Sequence, residues 1–151
     1  MAWIYPNLEQ AIEVHAKTIE VSGGGILGQL DTGKLASVLE HIQNDDYYPT
    51  FDKKLTHLFF CACKFHCFAD GNKRIAITLS MQMLSFNGYV GSFKAFANES
   101  ENISYHVAAG KISKELLGDW MLAVLTGQVD DESLKLRILN AISEGCDESH
   151  Q

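Results

Sequence analysis

Features that mark fibrous and membrane proteins are scarce in this chain of 151 residues. It has only 2 prolines, and its 12 glycines are spread along the chain rather than repeated at a fixed period, which excludes a collagen-like or low-complexity protein. No apolar run approaches the roughly 18 residues that a membrane-spanning helix needs. The N-terminus also lacks a basic stretch followed by an apolar one, so we predict no signal peptide, no membrane partner and a cytoplasmic location.

Basic residues are few as well, and they are unevenly placed. Lysine and arginine together number 12 against 19 acidic residues, and the net charge of −7 argues against a general nucleic-acid partner. Six acidic and two basic residues lie in 129–151, whereas five basic residues and one acidic residue lie in 53–74. The basic segment is either a solvated helix face, the usual fate of a run of charges, or the site of an anion.

The chain has 4 cysteines, three of them close together. With His66, the residues Cys61, Cys63 and Cys67 raise the question of a zinc site. Their C-x-C-x3-C spacing does not match the paired C-x2–4-C pattern of structural zinc sites, and a helix would turn Cys61 and Cys63 to different faces. We therefore interpret these cysteines as small buried apolar residues with reduced thiols, and we expect no zinc.

Apolar residues make up 46% of the chain and recur at helical spacing in seven segments. Capping and stop signals place these helices at about 8–22, 32–42, 52–65, 72–86, from Asn98 onward, 113–125 and 131–143. Residues 89–96 alternate enough to predict a short strand or hairpin arm. The predicted fold class is all-α, with one domain in residues 1–128 and a C-terminal helical extension of it in 129–151.

The most informative segment is HCFADGNKR, residues 66–74, which joins two predicted helices and ends at the start of the second. A helix start offers free backbone N–H groups and the positive end of the helix dipole. Gly71 lets a ligand approach the backbone, and Lys73 and Arg74 add two cations. Cations at a helix start oppose the dipole, so this segment predicts a bound anion such as phosphate.

Two further side chains of this segment suit phosphoryl chemistry. Asp70 lies beside the anion site, where a carboxylate is unfavourable unless a cation such as Mg²⁺ lies between it and the phosphate. His66, with an ordinary pKa of about 6.5, is a candidate general base for an attacking hydroxyl. Each residue alone has a plainer explanation, as a helix cap, a turn or a solvated charge. Their combination within one short segment favours the functional interpretation.

The segment HCFADGNKR resembles the signature of the Fic/Doc (Fido) superfamily, H-x-F-x-[D/E/N]-[G/A]-N-[G/K]-R. Its Asn-Lys-Arg ending resembles the death-on-curing (Doc) branch of bacterial toxins. The similarity continues at the glycines of 23–28, along 54–74, at Asn87-Gly88-Tyr89 and at 107–113, and covers roughly residues 8–122. The resemblance implies a mainly α-helical Fido fold, with the motif loop between two central helices.

The resemblance also implies an enzyme that transfers part of ATP to a hydroxyl of a target protein, with ATP and Mg²⁺ as cofactors. It makes His66 the catalytic base and Asp70 the Mg²⁺ ligand, and it assigns the phosphates to Gly71, Asn72, Lys73 and Arg74. Doc-like toxins transfer the γ-phosphate to a threonine of elongation factor Tu. The expected partners are therefore a translation factor of this kind and an antitoxin protein.

Two departures separate this chain from the relatives that transfer AMP. Those Fic proteins usually have glycine at the position of Lys73, and they carry a second arginine where this chain has Ile77. Both differences favour phosphate transfer, with AMP transfer as the alternative. A third hypothesis, a binding module without catalysis, is disfavoured because His66 and Asp70 are present.

Two expectations concern other parts of the chain. The loop at 47–51 is either the flap that aligns the target in this family or an ordinary surface loop. Residues 140–145 match, except at Asn140, the inhibitory pattern [S/T]-x-x-x-E-[G/N] of some Fic proteins, so Glu144 would reach the phosphate site. The alternative is a helix that packs on the core or on a second subunit. The role of His15 and the oligomeric state stay open.

Overall fold

The computed structural model describes residues 3–21, 32–64 and 72–148, and these form seven α-helices and no strand. The helices are α1 (Leu8–Val21), α2 (Thr32–His41), α3 (Phe51–Lys64), α4 (Asn72–Phe86), α5 (Phe93–Ala108), α6 (Lys114–Thr126) and α7 (Glu132–Glu148). A short 3₁₀ helix, Val90–Ser92, precedes α5. The predicted all-α fold is confirmed. Within the described ranges, no helix has the length and apolar character needed to cross a membrane.

Side-chain caps lie at several of the helix ends that the sequence predicts. At the start of α1, the N–H of Gln10 donates to Asn7 Oδ1 at 2.8 Å and the N–H of Asn7 donates to Gln10 Oε1 at 2.9 Å, which is a capping box. Ser113 and Asp131 cap α6 and α7, each accepting from the N–H three residues later, at 3.1 and 2.9 Å. Gly88, with φ of 83°, follows the end of α4 as expected.

Residues 90–96 are helical rather than extended, so the predicted strand or hairpin arm is wrong, and so is the predicted helix start at Asn98. Helix α5 begins at Phe93, with Ser92 as its N-cap residue. Its buried side chains follow at intervals of three or four residues, at Phe96, Ser100, Ile103 and Val107. A short apolar alternation fits the first turn of a helix as well as a strand, and here the longer helical period extends through it.

Helices α3 and α4 form the centre of the molecule. Helix α3 packs against α2, α4, α5 and α6, and α4 packs also against α1 and α5. The α3 residues that were predicted to share one face are all buried, as are four large apolar residues of α4: Leu55, Leu58, Phe59, Ala62, Ile75, Leu79, Met83 and Leu84. The motif therefore connects the two central helices, as the resemblance implied.

The remaining predicted features are core cysteines and a C-terminal helix. Cys61 and Cys63 have exposed fractions of only 3% and 1%, so their interpretation as buried residues is confirmed. Cys67, His66 and Cys146 lie outside the residues whose side chains are described. Helix α7 packs on α6, with Leu134 buried. The division into a domain of 1–128 and an extension of 129–151 stays a prediction.

Candidate active site

The motif connects the end of α3 at Lys64 to the start of α4 at Asn72. Of the predicted site residues, His66, Asp70 and Gly71 lie outside the described residues, and so do the side chains of Asn72 and Lys73. The backbone of Asn72 and Lys73 opens α4, and Arg74 follows with an exposed side chain. The helix start predicted at Asn72 is confirmed, and the chemical roles of the six motif residues stay predictions.

The start of α4 is a favourable place for an anion. The helix has 15 residues and no acidic residue in its first turn. Its first N–H groups have no partner within the helix, and the helix dipole gives them a partial positive charge. Arg74 adds a guanidinium, whose planar fork matches the oxygens of a phosphate. This end of α4 has the donors and the charge to hold a phosphate group.

A cleft of about 770 Å³ lies beside Arg74, between α4 and α5. Arg74 and Ile77 contribute the α4 wall. The α5 wall is mostly polar and consists of Ala97, Asn98, Ser100, Glu101, Asn102, Ser104 and Tyr105. Clefts of 300–1,000 Å³ are typical of small-molecule and cofactor sites, so this one has room for a nucleotide next to the proposed phosphate site.

The α5 wall is the part of the site that the sequence analysis missed. Asn98 and Glu101 were interpreted as a helix cap, but both lie within α5 and line the cleft. Asn98, Glu101, Asn102 and Tyr105 recur at intervals that place them on one side of a helix. This polar stripe is the sequence pattern from which the α5 wall could have been predicted. The pattern is recognisable only if the helix is predicted to begin at Phe93 rather than at Asn98.

Loop 42–50 lies at the opposite end of α3 from the motif. It precedes Phe51, whereas the motif follows Lys64. Since α3 has 14 residues and a helix rises 1.5 Å per residue, about 20 Å of helix separates the two segments. Residues 66–71 of the motif lie outside the described residues, so both interpretations of residues 47–51, a flap and a surface loop, stay predictions.

A chain of three side chains connects this loop to α3 and α6. Lys114 Nζ donates to His57 Nδ1 at 2.8 Å, and His57 Nε2 lies 3.2 Å from Tyr48 Oη. An ammonium group can only donate, so Nδ1 must accept, and the neutral ring carries its proton on Nε2. Burial, then the charges of Lys114 and His41, lowers the pKa of His57 to about 4. His57 is therefore neutral at neutral pH.

Lys54 fixes the beginning of the same loop from inside the core. Its side chain has no exposed surface, and Nζ donates to the carbonyl oxygen of Ile42 and to Asp45 Oδ1, both at 2.7 Å. The ammonium also lies 5.5 Å from the centre of the Tyr5 ring. Burial alone would lower the pKa of Lys54, but the hydrogen bonds with Asp45 and Tyr5 outweigh it, so the pKa is raised. Lys54 is therefore protonated and holds the start of loop 42–50 in place through these hydrogen bonds, and it does not act as a base.

The chain matches the model of the Fic/DOC family over residues 5–84. This range includes the whole motif and most of α1–α4. The comparison with curated proteins and the comparison with solved structures each gave no match. Fic/DOC proteins are in general enzymes that modify other proteins with part of a nucleotide, and they use ATP with a metal ion. Because the match spans more than half of the 151 residues, this chain belongs to the Fic/DOC family.

Proposed function

We propose that this protein is a Doc-like toxin that transfers the γ-phosphate of ATP to a hydroxyl of a target protein. The first target to test is elongation factor Tu, and the partner that restrains the toxin is an antitoxin protein. The observation that carries the proposal is the position of Asn72, Lys73 and Arg74 at the start of α4, beside a cleft with room for a nucleotide. Membership of the Fic/DOC family supports an enzyme that modifies proteins.

In this proposal each motif residue has one task. A ring nitrogen of His66 takes the proton from the attacking hydroxyl of the target. Asp70 holds Mg²⁺, and the phosphates bind to Gly71, Asn72, Lys73 and Arg74. When bound, ATP supplies the phosphoryl group and Mg²⁺ offsets its charge. Positioning and charge stabilisation are the main requirements of phosphoryl transfer, and the helix start and two cations meet both.

The transferred group is inferred from Lys73 and Ile77. Lysine adds volume and a positive charge where AMP-transferring relatives have glycine. Ile77 lines the cleft together with Arg74, at the position where those relatives have a second arginine. An apolar side chain cannot bind phosphate, so this wall of the cleft presents one guanidinium rather than two. This difference supports transfer of a terminal phosphate over transfer of AMP.

The proposal is tested with ATP that carries label on either the γ- or the α-phosphate. Purified elongation factor Tu is incubated with the wild-type protein, with His66→Ala and with His41→Ala. The last variant is a matched control, because His41 is exposed at the end of α2, outside the motif. We expect γ-label on the target with the wild type and His41→Ala, and none with His66→Ala. Label from the α-position would assign the protein to AMP transfer, and no label from either would reject this target.

A second substitution tests the role of Lys73 directly. Lys73→Gly restores the Gly-Asn-Gly-Arg pattern of AMP-transferring relatives, and Lys73→Ala removes the charge without adding glycine. If Lys73 sets the transferred group, Lys73→Gly should lose γ-label and gain α-label. Unchanged γ-transfer in both variants would contradict this role for the lysine.

A further inference from the structure

The cleft beside Arg74 contains a second charged group, the carboxylate of Glu101 on the α5 wall. Among the described residues that line this cleft, Arg74 and Glu101 are the only charged ones. Glu101 is exposed, and within the described part of the chain its carboxylate forms neither an ion pair nor a hydrogen bond. An acceptor without a partner therefore lies in the cleft that has room for a nucleotide.

The charge of Glu101 does not serve the helix that carries it. The four residues one turn before and after it are uncharged: Ala97, Asn98, Ser104 and Tyr105. No basic side chain one turn away is therefore in place to form an ion pair with it. Residue 101 also lies far from the first turn of α5, where the dipole favours an acidic side chain. Since a carboxylate repels nearby phosphates, a hydrogen-bond donor of the ligand is needed to offset this repulsion.

The position of Glu101 along the cleft indicates which part of a nucleotide it meets. Helices α4 and α5 pack against each other and are joined by residues 87–92 alone, so they run antiparallel. Arg74, in the first turn of α4, therefore lies at the same end of the cleft as Tyr105, near the end of α5. Because a helix rises 1.5 Å per residue, Glu101 lies about 6 Å and Ala97 about 12 Å farther along the cleft than Tyr105. With the phosphates at Arg74, the sugar lies near Glu101 and the base beyond it.

The sugar of a ribonucleotide offers the donors that a carboxylate needs. An ionised carboxylate only accepts hydrogen bonds, and so do the phosphates, so the two cannot bind each other directly. The hydroxyls at C2′ and C3′ of ribose both donate and are adjacent, so one carboxylate can accept from both. Carboxylates bind the ribose hydroxyl in dinucleotide-binding folds as well, and hydrogen bonds to an ionised group are about twice as strong as neutral ones.

We propose that Glu101 binds the ribose hydroxyls of the nucleotide, and that this contact makes the enzyme select ribonucleotides over deoxyribonucleotides. The inference rests on the proposed function, because it takes the cleft between α4 and α5 as the nucleotide site. It adds a residue that recognises the sugar on the wall opposite the phosphate site. Because the phosphates bind at the start of α4, loss of the sugar contact weakens nucleotide binding but leaves the phosphate site intact.

The first test measures the binding of nucleoside diphosphates to the wild-type protein by isothermal titration calorimetry in the presence of Mg²⁺. The probes are ADP, 2′-deoxy-ADP, 3′-deoxy-ADP and IDP, none of which has a γ-phosphate to transfer. We expect ADP to bind at least about tenfold more tightly than one of the two deoxy forms, because that form lacks a donor to the carboxylate. Equal affinities for ADP and both deoxy forms would overturn the proposal.

Two substitutions test the residue itself. In Glu101→Ala the preference for ADP should fall below about threefold, whereas Glu101→Gln, which keeps an oxygen acceptor but loses the charge, should retain part of it. Glu40→Gln is the control, because it removes a negative charge from an exposed position of α2 outside the cleft, and it should bind like the wild type. If Glu101 only repels phosphates, both Glu101 variants will bind all four diphosphates more tightly by the same factor, which would overturn the proposal.

The remaining outcomes separate a failure of this inference from a failure of the proposed function. IDP lacks the exocyclic amine of adenine, so a changed preference between ADP and IDP in Glu101→Ala, with the preference over the deoxy forms unchanged, would assign the carboxylate to the base and overturn the ribose contact. An unchanged preference in folded Glu101→Ala, together with γ-label on the target that depends on His66, would overturn this inference alone. No binding of any diphosphate to the wild type and no label on the target would contradict both.

Discussion

The neutral state of His57 should make the stability of the fold depend on pH. Its ring accepts a hydrogen bond from Lys114 and donates one to Tyr48. A proton on Nδ1 would break the bond with Lys114 and place two cations side by side. His41, at the end of α2, adds further positive charge, and Cys61 Sγ lies 3.6–3.7 Å from the ring nitrogens. None of these neighbours offers a carboxylate to a protonated ring.

The direction and size of the effect follow from the two pKa values. The pKa of His57 is 6.5 in the absence of neighbours and about 4 in the folded protein. Between these values the unfolded chain binds the extra proton, so the stabilisation is complete above about pH 6.5 and is lost as the pH falls towards 4. The full difference between the two pKa values corresponds to roughly 3 kcal/mol in the free energy of unfolding. Because the ring is only half-buried and solvent screens its charge, we expect a loss of roughly 1–2 kcal/mol in the free energy of unfolding.

Urea unfolding at pH 7 and near pH 4.5 measures this contribution. The variant His57→Gln keeps an acceptor for Lys114 and a donor for Tyr48 but does not titrate. The free energy of unfolding of the wild type should therefore fall by roughly 1–2 kcal/mol more than that of His57→Gln between the two pH values. His41→Gln removes one of the charges that lower the pKa of His57, so its loss of stability should lie between those of the wild type and His57→Gln. Equal losses in the wild type and His57→Gln would refute the reasoning.

Three further predictions concern the stability of the fold and are measured by urea unfolding. Asp45→Ala should lower the free energy of unfolding by roughly 2–3 kcal/mol, because it leaves the buried ammonium of Lys54 without its carboxylate. Lys54→Met removes the buried charge itself and should lower it by only roughly 1–2 kcal/mol. A larger loss with Lys54→Met than with Asp45→Ala would contradict this role of the ion pair. Phe59→Ala should cost roughly 3–5 kcal/mol, since its fully buried ring contacts Phe96 and Trp120, and a loss below 1 kcal/mol would exclude this packing. Asn7→Ala should lower the free energy of unfolding by roughly 0.5–2 kcal/mol, because the N-cap hydrogen bond of α1 is lost. An unchanged free energy of unfolding would mean that this cap does not stabilise the fold.

The elements that could be predicted are those with local signals. The start of α1 at its capping box, the cap Ser113 and the end of α4 at Asn87-Gly88 each depend on residues a few positions apart. The start of α5 could not be predicted in this way. Residues 89–96 are too short to separate a strand from a helix turn, and burial of Phe96 against Phe59 and Trp120 favours the helix.

The sequence by itself determined the family, the helical class and the place of the motif, because a spaced pattern of functional residues and a helical period are properties of neighbouring positions. Tertiary structure alone decided which distant residues meet. Lys114 bonds to His57 across 57 positions, Lys54 is buried although it is charged, and Asn98 lines a cleft with Arg74. These contacts depend on how helices pack against one another, and no local pattern encodes that packing.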